Sequence, residues 1–199
     1  DLVADGNSSV FVTGFSRGNE GDDYATLKYS SAGAALWTNR YNGPGNYTDQ
    51  AQAIAIDPSG AVSVTGQSQS GLDLDSSDYA TVKYSNSGIP IWTNRFNGLA
   101  NLADEAKGVT TDQNGNVYVI GFVDYMGAEE LSDGLMVKYS PSGDTLWTKA
   151  FESPPGQTTW PAGKAIGVGP DGAVHLAINQ GTNNLTAKYT DIVKLELLF

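Results

Sequence analysis

Apolar and polar positions along this chain fall into short runs, each closed by a turn signal. The run Ala53-Ile-Ala-Ile56 is followed by Asp57-Pro-Ser-Gly60 and then by Val62-Ser-Val-Thr-Gly66, which predicts two strands joined by a tight hairpin. The same arrangement occupies Asp1 to Gly14, Gly108 to Gly121 and Ala165 to Ile178. Asp112-Gln-Asn-Gly115 and Pro170-Asp-Gly172 serve as the turns of the last two copies. After a polar loop, a second shared block centres on Lys28-Tyr29, Lys83-Tyr84, Lys138-Tyr139 and Lys188-Tyr189. In the first three copies a Ser-x-x-Gly turn follows, and then a tryptophan at one fixed interval: Trp37, Trp92 and Trp147.

Each copy therefore predicts four short strands, a to d. A long fixed period of this kind is the signature of a β-propeller built of four-stranded antiparallel blades. The predicted blades are residues 1–43, 49–98, 104–151 and 162–199 of one all-β domain. Strand a of the second copy is apolar at nearly every position, as a strand covered on both faces should be. It is placed innermost. Up-and-down connectivity then gathers the tight a–b and c–d turns on one face and the long b–c and d–a connections on the other. The fourth copy lacks the glycine of the c–d turn and carries Leu197 in the tryptophan's place, so Ile192 to Phe199 is read as a substitute outer strand. The first copy lacks the lead-in seen as Asp49-Gln-Ala51 and Asp104-Glu-Ala106. Four blades predict a closed four-bladed ring, or half of a larger ring completed by a partner chain, because unclosed blades would expose their apolar faces.

The string Trp-Thr-Asn-Arg-Tyr-Asn-Gly, with the Asp-x-Ala lead-in, Val-Ser-Val-Thr-Gly and Asp-Tyr-Ala-Thr-Val-Lys-Tyr-Ser, resembles the bacterial SBBP repeat, named for a seven-bladed β-propeller. The resemblance implies a propeller in an exported or cell-surface bacterial protein. It implies no catalytic residues, since the shared positions are the framework.

Composition agrees with a β protein: 24 glycines and 10 tyrosines against 2 methionines. The net charge of −11 disfavours nucleic acid and anionic membrane surfaces and suits a cation, a basic partner or a neutral glycan. No apolar run is long enough to insert in a membrane, and no basic-then-apolar signal segment opens the chain, so a mature or excised start is expected. Cysteine is absent, which excludes disulfides and thiolate metal sites.

Among residues that could carry chemistry, the tryptophans read as pins wedged against a neighbouring blade. The spacing Gly143-Asp-Thr-Leu-Trp147 resembles the tryptophan-docking turns of quinoprotein dehydrogenases, without an assignable quinone or calcium set. Ser140-Pro-Ser-Gly143 resembles a sialidase Asp-box turn that lacks its aspartate. Asn39-Arg40 and Asn94-Arg95 read as charged features that blunt an outer edge, and the Lys-Tyr pairs are read the same way. His175 is the one histidine, too few for a histidine metal cluster or a Ser-His-Asp triad. The acidic side chains gather on the loop face, among them Glu20, Asp22, Asp23 and Asp124, with Arg17 the one base there. Asp73, Asp75 and Asp78 place three carboxylates close together, a candidate Ca²⁺ site that does not match an EF-hand. Tyr41, Asn42, Asn46 and Tyr47, in the connection after the first tryptophan strand, combine aromatics with amides and are candidates for stacking on and hydrogen-bonding a sugar. The glycosylation patterns at Asn7, Asn46 and Asn184 are expected to be idle in a bacterium.

The favoured function is a non-enzymatic exported module, a structural or binding platform that self-associates or engages another protein through its acidic loop face. The alternatives are a glycoside hydrolase or quinoprotein-like enzyme with its site at the channel mouth, and a carbohydrate-binding propeller.

Overall fold

A computed structural model describes residues 1–72, 76–98, 102–125, 131–151, 161–180, 183–190 and 194–198. Every regular element in it is a strand, and the strands form four antiparallel four-stranded sheets. The first sheet holds β1 (Leu2–Ala4), β2 (Val10–Arg17), β3 (Asp22–Tyr29) and β4 (Ala35–Tyr41), and the second holds β5 (Asp49–Ile56), β6 (Val62–Gln69), β7 (Ser77–Tyr84) and β8 (Pro90–Phe96). The third runs from β9 (Asp104–Thr111) through β10 (Val117–Tyr125) and β11 (Leu131–Tyr139) to β12 (Thr145–Phe151). The fourth comprises β13 (Pro161–Val168), β14 (Val174–Gln180), β15 (Asn183–Thr190) and β16 (Lys194–Leu198). In each sheet the strands lie in chain order, so every connection within a sheet is a hairpin.

The turns explain why the hairpins close. At Asp57 one carboxylate oxygen accepts from the amides of Ser59 and Ala61, an Asx turn, and Gly60 adopts φ +82°. Gly115 and Gly172 repeat that left-handed residue in the third and fourth sheets. In the first sheet the position is held by Ser8 at φ 59°, an exposed side chain in a conformation that favours glycine. Ser8→Gly is therefore expected to stabilise the chain by about 0.5 kcal/mol, the relief of left-handed strain less the added chain entropy. A higher urea midpoint at unchanged slope would show it.

The apolar core lies between sheets rather than within one. Phe11, Tyr24, Val62, Val64 and Tyr84 join the first sheet to the second; Tyr79, Val117, Val119 and Tyr139 join the second to the third; Tyr118, Ile120, Val174 and Leu176 join the third to the fourth. The inner strands β5, β9 and β13 pack against one another in sequence, while β4, β8 and β12 lie at the outside. The array is thus a run of four blades with strand a innermost. Among the described residues, no substantial packing of elements joins the fourth sheet to the first.

The fourth outer strand departs from the sequence reading in register. In the first three sheets a bulge beside the strand c lysine sets tryptophan opposite it, as Lys28↔Trp37, Lys83↔Trp92 and Lys138↔Trp147. β16 pairs with β15 without that bulge, so Glu196 rather than Leu197 stands opposite Lys188.

Candidate functional site

The tryptophans are pins, and their geometry repeats. Trp37 Nε1 donates to the Asn86 carbonyl of the next sheet at 3.0 Å, and Trp92 Nε1 to the Pro141 carbonyl at 3.0 Å. The Trp37 ring lies against Tyr84 and that of Trp92 against Tyr139, with centroids 6.1 and 5.6 Å apart. Two residues on, Asn39 and Asn94 donate to the carbonyls of Gly88 and Gly143. Tyr24 and Tyr79 hydroxyls reach the carbonyls of Ala80 and Leu135.

The recurring lysines are not edge features. Lys83 is buried and pairs with Asp57 at 2.8 Å, while donating to the Gly115 carbonyl of the next sheet at 3.3 Å. Lys28 does the same with Asp5 and Asn86. The side chain's parity puts it on the face that meets the next blade, where turn oxygens await it. The arginines do sit on the outer strands, yet they fold back over their own sheets. Arg40 binds Asp23 at 2.7 Å and the Ser16 carbonyl, and Arg95 binds Asp78 at 2.6 Å and the Ser68 carbonyl. The recurrence of Asp23 and Asp78, each on the strand before the arginine's, is the sequence signal for these pairs.

Two buried aspartates fasten the connections between sheets. Asp49 accepts from the Gly43 amide at 2.6 Å, and Asp104 accepts from the amides of Gly98 and Asp124. Burial pushes the Asp49 carboxyl up, and it pushes Asp104 up to about 6 even though both amides oppose the shift. The folded chain therefore holds the Asp104 proton where the unfolded chain, near 3.8, has released it, so stability falls as pH rises from 3.8 to about 6. Asp104→Asn cannot ionise, and its melting temperature relative to the parent is expected to climb across that window. Parallel melting curves would contradict the assignment.

On the loop face, between the first two sheets, a cleft of ≈ 260 Å³ is lined by Asn19, Glu20, Gly21, Asp23, Asn42 and Asn46. The β2–β3 turn and the β4–β5 connection form it together. Gly21 packs so closely on the Tyr47 carbonyl that a Cβ there would overlap it. Asn46 takes φ 54° after closing a turn on the Gly43 carbonyl, and its Oδ1 accepts from Asn42 Nδ2 at 2.8 Å. The floor is Asp23, held by Arg40, and the rim is Glu20. Amides and carboxylates at this spacing can exchange hydrogen bonds with hydroxyl groups.

Of the sugar-binding candidates, Asn42 and Asn46 line the cleft. Tyr41 does not: its ring meets Tyr24 edge-on at 5.3 Å. Tyr47 is half-buried and contributes its carbonyl to the Gly21 contact. Asn19 was not singled out from sequence, and an isolated loop asparagine gives no signal to find it. Of the calcium candidates, Asp73 and Asp75 lie outside the described residues, and Asp78 is buried against Arg95. Among the described residues no group of three His, Cys, Asp or Glu side chains is placed to hold a metal ion.

Sheets of this order and packing define β-propeller blades. Residues 91–121 match the family model described as SBBP, beta-propeller repeat. The matched stretch runs from the outer strand β8 across the connection to β9 and β10, so it carries Trp92, Arg95 and Asp104 together. No curated protein matches in sequence. Solved structures do match in fold. Polysaccharide lyase Uly1 is 9% identical at a TM-score of 0.63, covering 100% of this chain and 48% of its own. The β-propeller domain of the Trilobed protease from Pyrococcus furiosus, described as having an open velcro topology, is 10% identical at a TM-score of 0.56, covering 100% of this chain and 56% of its own. A protein of unknown function from Bacteroides caccae is 12% identical at 0.53, covering 94% and 56%. The chain thus spans about half the length of the structures it matches.

Proposed function

We propose that this chain is part of an exported or cell-surface bacterial propeller that works without catalysis, as a structural platform whose loop face binds a neutral glycan. The observation that carries this reading is the use made of its polar side chains. Those that recur, Lys28 and Lys83, Arg40 and Arg95, Asn39 and Asn94, are each engaged in equivalent framework contacts in successive sheets. What differs from sheet to sheet is the loop face, and there the Asn42–Asn46 cleft offers amide and carboxylate groups to a hydroxyl-rich ligand. A net charge of −11 keeps polyanions away from it.

Titration calorimetry with neutral oligosaccharides tests the reading. Saturable binding is expected, weakened at least about tenfold by the triple variant Glu20→Gln, Asn42→Ala, Asn46→Ala, a loss of roughly 1.4 kcal/mol. Only a small drop in melting temperature is expected, since all three side chains are exposed and the cost is confined to alanine at the left-handed residue 46. Time-dependent cleavage of the bound glycan would replace the platform with an enzyme.

A further inference from the structure

The first sheet carries an unfilled copy of the site that receives a tryptophan. In the second and third sheets that site consists of a strand c tyrosine, the carbonyl one residue into the c–d turn, and the left-handed glycine of the same turn. Gly88 at φ +86° lies so close to Trp37 that a Cβ would sit 2.9 Å from the indole, and Gly143 at φ +95° stands 2.8 Å from Trp92 by the same measure. The first sheet has every part: Tyr29, the Ser31 carbonyl, and Gly33 at φ +79°. Around Gly33, however, no atom lies within 4 Å of where a Cβ would be.

The surrounding face tells the same story. Val62, Val64, Ala80, Val82 and Tyr84 are at most 2% exposed where the first sheet covers them, and Val117, Val119, Val137 and Tyr139 are likewise buried beneath the second. Their register equivalents in the first sheet, Val10, Val12, Ala25, Leu27 and Tyr29, are only half-buried. A face with the composition of an interface already formed twice in this chain lies open.

We infer that this face docks one further blade of the same repeat type, whose outer strand presents Trp-x-Asn to Tyr29, Ser31 and Gly33. The tryptophan N–H would meet the Ser31 carbonyl and the asparagine the Gly33 carbonyl, as in the two filled sites. A second copy of this chain is a poor occupant: Trp37, Trp92 and Trp147 are packed in their own interfaces, and the last sheet has Glu196 at the tryptophan register. The inference rests on the platform reading only in taking the array as an arc of a larger propeller.

The test lengthens the chain by one unit. A copy of residues 49–107 joined ahead of Asp1 places a Trp92 and an Asn94 one blade before Tyr29, because Asp1 holds the strand position of Gly108. The lengthened chain is expected to melt about 4 °C or more above the parent. Trp92→Ala in the added copy should abolish the gain, and Gly33→Ala should cost more in the lengthened chain than in the parent. Melting at the parent temperature, or a gain that survives loss of the added tryptophan, overturns the inference.

If the added blade does not fold, a labelled peptide of residues 35–41 titrated onto the parent supplies the second measurement. Saturable anisotropy lost on Tyr29→Arg supports the socket, and no saturable binding overturns it. Light scattering on the parent separates the two readings. A monomer agrees with a vacant socket, whereas a dimer insensitive to Tyr29→Arg removes the socket and leaves the platform standing.

Discussion

Lys83→Ala is expected to lower the unfolding free energy by about 3–5 kcal/mol, the cost of leaving a buried carboxylate without its cation. The Lys83 and Asp57 side chains are 3% and 4% exposed, so water cannot replace either partner. The double variant Lys83→Met, Asp57→Asn should lose much less, because it removes both charges and keeps an acceptor for the turn amides. Urea unfolding of the three chains measures the difference, and equal losses for the single and double variants would contradict it.

The same pair shapes the acid limb. Burial raises the Asp57 carboxyl, but hydrogen bonds from Lys83 and Ser59 outweigh it and leave the group below its ordinary 3.8. A depressed folded pKa gives stability that is present above the unfolded value and lost as pH falls through the folded one. Lys83→Ala should therefore shed part of that acid sensitivity. Asp104 works in the opposite sense, losing stability as pH rises to about 6. The contribution of Asp57 is thus lost on the acid side of its ordinary 3.8, and that of Asp104 is lost by about pH 6.

Trp92→Ala is the second large effect, with an expected loss of about 3–4 kcal/mol for an aromatic that closes an interface and donates a hydrogen bond across it. Gly143→Ala should be costly as well, since it combines left-handed strain with a collision 2.8 Å from the indole. In a Trp92→Ala background the collision disappears and only the strain remains, so the two substitutions are coupled. Gly33→Ala supplies the internal control, having similar strain and no indole nearby. Additive losses at Trp92 and Gly143 would show that the indole does not seat on the glycine.

The strand framework was legible because the alternation and the turn residues repeat, and each copy checks the others. Direction of packing was less so. Lys83 reads as an edge charge when its strand is taken alone; only its parity with Tyr79 and Thr81, together with the recurrence of a turn aspartate, places it in the interface. Tyr41 and Asn42 are neighbours in sequence and read as one sugar platform, yet Tyr41 closes β4 with its ring against Tyr24, while Asn42 opens the connection that lines the cleft. The Trp-to-Leu197 alignment failed for a related reason, because a bulge that sequence spacing does not display decides what stands opposite Lys188. Closure was beyond reach, since the number of blades in a ring depends on a small rotation at each interface that no residue names.

The bulge and the turn glycine also make the two sides of each of the first three blades unlike. One side offers an indole and the other a cup for it, so contacts of this kind are heterologous: they join head to tail and cannot be made symmetrically about a two-fold axis. Growth by this interface has a polarity, and its end products are a ring where the rotation per blade divides the circle and a helix where it does not.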